Sequence, residues 1–209
     1  MRSTLVKLAA AISGGLLVLS GCATVGDPNL AVTVNGQDLT EARVTQLSQA
    51  ISDIYLASWK ASQEASQPAA SRTPEQQATY EAALAKQQAD LSPGKYRVAV
   101  VAVSIEAQIA HETAKKINMN VTDAQRKEAL GTDPGIAALA ANPATADFIN
   151  GLADAQVIFS DASGLAAGKQ AAAAAVVNLN PRYGTWDPTK IAPAGTGSLS
   201  TSTSTSAEK

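Results

Sequence analysis

A few stretches of the 209-residue chain carry residue types at spacings that can do chemistry. His111-Glu112-Thr113-Ala114-Lys115 is the first half of a His-Glu-x-x-His arrangement, in which two histidines on one helix face hold zinc and the glutamate acts as base. Lysine stands where the second ligand is needed, and the chain has no other histidine. His111 therefore reads as a helix-surface histidine beside an acid. Gly164-Leu165-Ala166-Ala167-Gly168-Lys169-Gln170 approximates a phosphate loop. That loop needs four residues between its glycines and a hydroxyl after the lysine to reach magnesium. Here there are three residues, and Gln170 follows the lysine. Ser92-Pro93-Gly94-Lys95 has a Ser-x-x-Lys spacing that can activate a serine, but its Ser-Asp-Asn and Lys-Thr-Gly companions are absent. Ser-Pro is better explained as a helix cap. The pairs Glu106 and Glu112, and Asp147 and Asp154, read as solvated helix acids. No catalytic, cofactor-binding or metal-ligating residue is assigned, and the expectation is a protein that is not an enzyme and takes no cofactor.

Composition narrows the classes further. The net charge is −2, which leaves no basic footprint for nucleic acid. One cysteine excludes a disulfide framework. The 43 alanines make up nearly half of the 45% hydrophobic fraction. Alanine is the best helix former, so helices are favoured over sheet.

The first 21 residues read as an export leader. Arg2 and Lys7 give a positive start, and Leu8 to Leu19 give an apolar run. As a helix that run is about 18 Å long, short of the roughly 30 Å hydrocarbon core of a bilayer. It is a signal segment rather than a span. Leu19-Ser20-Gly21-Cys22 follows, and it resembles the lipobox of bacterial lipoproteins. The resemblance implies cleavage before Cys22 and a diacylglyceryl group on its thiol. Two acyl chains, at about 0.8 kcal/mol per buried methylene, hold on the order of 20 kcal/mol. Cys22 is thus the expected lipidation site, with membrane lipid as its partner and the extracytoplasmic face of the cell membrane as the location. Loss of Arg2 and Lys7 leaves 14 basic residues against 18 acids, a net −4, so the lipid rather than charge must supply the attachment.

The elements that position everything else follow from periodicity. Residues 22–30, with Gly26 and Pro28, form a tether reaching roughly 25–30 Å. Ala31-Val32-Thr33-Val34 alternates and meets the turn pair Asn35-Gly36. Val44, Leu47, Ile51, Ile54 and Trp59 then recur at helical intervals. Residues 61–72 are Ser-, Gln- and Ala-rich with Pro68, which predicts a loop. Thr73-Pro74-Glu75-Gln76 is a capping-box start for a helix to about Leu91 whose apolar content is thin. It is peripheral, or its partner lies outside this chain. The next helix, about 94 to 118, is apolar on two faces and should be central. Val98, Val101, Ile105 and Ile109 form one stripe. Thr122 caps a further helix, Gly131 to Gly135 interrupts, a short helix covers 136–141, and another covers about 144–160. Residues 161–173 are ambiguous. Val176, Val177 and Leu179 form a second short strand. The two short strands, one at each end of the domain, should pair, since neither can stand alone. From residue 189 onward a Pro-, Gly-, Ser- and Thr-rich tail to residue 209 is expected to be disordered.

Three segments in this order resemble a known module. Ala31 to Thr40, Ile109 to Gln125 and Asn178 to Asp187 are similar to the opening strand and cap, the Ala-Lys-Lys break and the ending of SurA-like N-terminal domains, shared in outline with PrsA-type foldases. Asn118 stands where that family often has glycine. The resemblance implies a chaperone-type module over 31–188, mainly α-helical with two short paired terminal strands. It lacks the parvulin isomerase, whose paired histidines and glycine-rich core segments are absent. The expected function is ATP-independent, without any nucleotide: holding unfolded or exported client proteins on apolar helical surface. Ile51, Ile54, Val98, Val101 and Ile105 are the candidate client cradle, unless they are ordinary core. Arg182, Tyr183 and Trp186 are either a partner-binding cluster or a C-terminal latch packed on the body. The alternative function is a structural or adaptor lipoprotein of the cell envelope with one dedicated protein partner.

Overall fold

The computed structural model of the protein describes residues 27–195. The expected leader, Cys22 and the expected tail from residue 196 onward lie outside the described residues. The fold is mainly helical with two small antiparallel sheets. It begins with β1 (Leu30–Val34) and β2 (Gln37–Thr40). They form a hairpin across Asn35-Gly36, both with positive φ, as its two-residue turn requires. β2 is a strand that apolar alternation does not announce; the turn and the pairing with β1 hold it.

Thr40 ends β2 and caps α1 (Glu41–Ser66), its hydroxyl accepting from the Arg43 amide at 3.1 Å. The first half of α1 buries Val44, Leu47 and Ile51. The helix runs on into the predicted loop as far as Ser66, because nothing before Pro68 breaks it, and the loop itself is confined to the residues around Pro68. The capping box of Thr73 and Gln76 starts α2 (Pro74–Asp90), which buries no residue. A 3-10 turn over Pro93–Tyr96 leads into α3 (Arg97–Ile117). Ser92 makes no capping hydrogen bond with its side chain, so the expected cap there is replaced by this turn.

The central helix is α3, which buries Val100, Val101, Ile105, Ile109, Ala110 and Thr113. Asn118 closes it in the left-handed conformation that glycine often supplies. Then come α4 (Asp123–Leu130), opened by the Thr122–Gln125 capping box, and α5 (Pro134–Ala141), capped by Asp133. α6 (Ala146–Ser160) and α7 (Ala162–Ala174) pack on α3. The glycines of the phosphate-loop look-alike lie in α7. A Cβ on Gly164 would strike the Ile158 carbonyl, and one on Gly168 the Phe159 ring. These glycines serve close packing of α7 on α6.

β3 (Val177–Leu179) pairs antiparallel with β1, Val32 opposite Leu179, giving the order β2-β1-β3. The two ends of the domain are therefore joined in one sheet. β4 (Thr185–Asp187) and β5 (Ala192–Ala194) form a second antiparallel pair. Here the chain departs from the expected tail. It stays paired through Ala194, and Ile191 is 5% exposed in the main core. The isolated isoleucine, rather than any run of apolar residues, holds the segment down. Among the described residues, no helix is long and apolar enough to cross a membrane.

Candidate functional site

The residues expected to line a client cradle do not line an open groove. Ile51, Val101 and Ile105 are buried in the main core, and Ile54 and Val98 pack against it, partly buried. Helical spacing identified a buried face correctly, but the face is covered by this chain's own elements. Of these five residues Ile51, Val101 and Ile105 are core, while Ile54 and Val98 lie at its edge with part of their surface exposed.

The C-terminal cluster forms a latch. Tyr183 is 1% exposed, and its hydroxyl donates to Glu41 Oε2 at 2.8 Å. Arg97 Nη2 donates to that hydroxyl at 3.0 Å and to the same carboxylate oxygen, while Nη1 donates to Thr45 Oγ1 at 2.7 Å. Arg182 Nη1 lies 3.6 Å from Glu41 Oε1, an oxygen that has no hydrogen-bond donor. Burial, together with donation to Glu41, pushes the Tyr183 pKa up to about 12. The phenol is thus held protonated, a donor rather than a base. Glu41 stands in the first turn of α1, where the helix dipole favours a carboxylate. Asn180 adds backbone ties, donating from its amide to the Ala31 carbonyl at 2.9 Å and from Nδ2 to the Leu30 carbonyl at 3.1 Å. Trp186 packs partly buried against the core. Glu41, Thr45 and Arg97 were not singled out by sequence. Each is an ordinary helix-end residue until the fold brings the three together.

His111 is exposed, and its neighbour Glu112 accepts from Asn35 Nδ2 at 2.7 Å, which ties α3 to the β1–β2 turn. That contact occupies the carboxylate the half zinc motif singled out.

Two surface features remain. The second half of α1 and α2 form an arm. Its seam is a stack: Trp59 on Tyr80 at 5.8 Å between ring centroids, with the Arg72 guanidinium 4.0 Å from the Tyr80 centroid. Arg72 is also bound by Glu64 at 2.9 Å and by the Gln67 carbonyl at 3.0 Å, and its side chain is 4% exposed. Beside the stack runs a cleft of about 300 Å³ lined by Gln63, Gln67, Gln76, Thr79 and Tyr80. A more apolar cleft of about 450 Å³ lies where Leu130, Ile136, Ala137 and Ala140 meet. No protein-family model, curated protein or solved structure matches this chain.

Proposed function

We propose that the protein is a non-catalytic lipoprotein of the bacterial envelope, anchored through acylated Cys22, that binds a dedicated protein partner through the α1–α2 arm. The observation that carries this reading is α2 itself. It is a capped, regular helix of 17 residues that buries none of them. A helix that gains so little from its own fold draws its use from what it meets outside. The resemblance to SurA-like N-terminal modules supports a protein-binding role without isomerase chemistry. The body is otherwise covered. Among the described residues, Leu165 and Val176 are the only large apolar side chains that count as exposed, so broad capture of unfolded chains has little surface to use.

A photo-crosslinking residue in place of Ala78 or Ala85 on the outer side of α2 tests the reading in intact cells. One discrete adduct is expected, absent when the probe replaces Ala138 on α5. A smear of adducts from many proteins, or none, contradicts the adaptor. Client holding remains the second reading, favoured by the apolar cleft at Leu130, Ile136 and Ala140. Suppressed aggregation of several unrelated unfolded proteins, lost in Ile136→Asp, would put it first.

A further inference from the structure

The C-terminal segment is built in two parts of different character. Asn180 to Tyr183 is tied by hydrogen bonds to β1, α1 and α3. The strap that follows, Ile191 to Ala194, is held by a three-residue ladder to β4 and by the single anchor Ile191. That anchor is strained. Ile191 has φ +55°, a β-branched residue in the left-handed region, at a cost of about 1–2 kcal/mol. The other non-glycine residues with positive φ among those described are asparagines, which tolerate it. The strap also enters a shaped seat. Gly184, at φ +106°, leaves room where a Cβ would lie 2.6 Å from the Ala194 carbonyl oxygen, and Thr185 Oγ1 donates to that oxygen at 3.2 Å. α3 also packs against the strap.

We infer that Ile191 to Ala194 is an intramolecular stand-in for an extended apolar peptide, and that the seat between β4 and α3 is a peptide-binding site. The occupant is defined by what now fills it. It is an extended segment with an aliphatic anchor followed by small residues and proline, adding as a strand to the edge of β4. An incoming peptide that reaches the socket with negative φ avoids the strain that Ile191 carries. β5 is the last element among the described residues, and its departure leaves the Tyr183 and Asn180 ties intact, so the wall formed by β4 stays in place. This site is separate from the arm and does not depend on the arm's partner.

The test uses a fluorescently labelled peptide with the sequence of residues 189–195, titrated into the full chain and into Ile191→Asp, whose strap cannot keep a carboxylate in the socket. Because the resident strap competes, the variant should bind the peptide at least about tenfold more tightly than the unaltered chain. A peptide with aspartate in place of its isoleucine should bind neither. In the unaltered chain, the Ala192 and Ala194 amides should exchange hydrogen at least about tenfold faster than those of Val32 and Val34. A folded, monomeric Ile191→Asp that fails to bind the peptide overturns the inference. If the variant does not fold, the exchange measurement decides alone, and equal protection of β5 and β1 overturns the inference.

Discussion

The Tyr183 hydroxyl donates to the Glu41 carboxylate at 2.8 Å, across 142 positions of sequence, and Arg97 bonds to both. Removing that hydroxyl leaves a partly buried guanidinium and carboxylate with one partner fewer. Tyr183→Phe keeps the ring and its packing, so the loss should be confined to the hydrogen bonds, about 1–2 kcal/mol. For a domain of this size the melting temperature should fall by roughly 3–6 °C. Glu41→Ala should cost more, about 2–3 kcal/mol, because Arg97 then has no carboxylate to face. A thermal melt of Tyr183→Phe indistinguishable from the parent would show that the latch holds by packing alone.

Alkali gives the latch a second signature. The Tyr183 pKa in the fold, about 12, lies above its ordinary value near 10. A raised pKa contributes stability that is fully present below the unfolded value and is lost as pH climbs through the folded one. Denaturant midpoints should therefore be insensitive to this group below about pH 9 and fall between about pH 10 and 12. Tyr55 and Tyr96 are also pushed up by burial, so the informative quantity is the difference between the parent and Tyr183→Phe. That difference should shrink across the same window. A gap that stays constant would remove Tyr183 from the alkaline transition.

What could be read from the chain was what depends on neighbours in sequence. Thr73 and Thr122 cap helices through contacts three residues away, and each motif is complete within four letters. The pairing of β1 with β3 was legible for a different reason: two short strands, neither able to stand alone, had to find each other, although β2 on the other edge of β1 was not foreseen. Ile51, Val101 and Ile105 show the boundary. Their spacing says that a face is buried, and says nothing of what buries it. β5 was missed because Ile191 is one apolar residue among Pro, Gly and Thr, and only the core it enters makes it an anchor. Tyr183 stood out with Arg182 and Trp186, but its partners Glu41 and Arg97 carry no signal until α1, α3 and the C-terminal turn converge.

The α6–α7 interface gives a steric prediction. Gly164→Ala would drive a methyl into the Ile158 carbonyl, and Gly168→Ala would drive one into the Phe159 ring. Backbone cannot yield as a flexible side chain can, so Gly164→Ala should be the worse of the two. Each should cost about 1–3 kcal/mol by overpacking, although alanine is the better helix former. Gly94→Ala is the control, since nothing lies within 4 Å of its Cβ position. It should be neutral or slightly stabilising in a urea titration. If Gly164→Ala stabilises the protein instead, the close approach of α7 to α6 is wrong.

The arm should come loose without the body. α2 is fastened by the layered stack of Trp59, Tyr80 and Arg72, with Glu64 fixing the guanidinium from outside. A cation over an aromatic face contributes about 0.5–1 kcal/mol at exposed sites and about 2 when desolvated, and Arg72 is close to the desolvated limit. α2 fully buries no residue, and Leu84 is the one partly buried apolar side chain it has besides Tyr80. Arg72→Ala should therefore raise hydrogen exchange throughout residues 74–90 and shift Trp59 emission to longer wavelength as the indole gains water. Exchange in α3 and β1 should not change, because their core shares no residue with the stack. Glu64→Ala should act in the same direction more weakly, since that carboxylate is 54% exposed and its ion pair is screened by solvent. Faster exchange spread evenly over α2, α3 and β1 would mean that the arm unfolds only with the whole domain, and the arm would then be a buttress rather than a separately presented binding element.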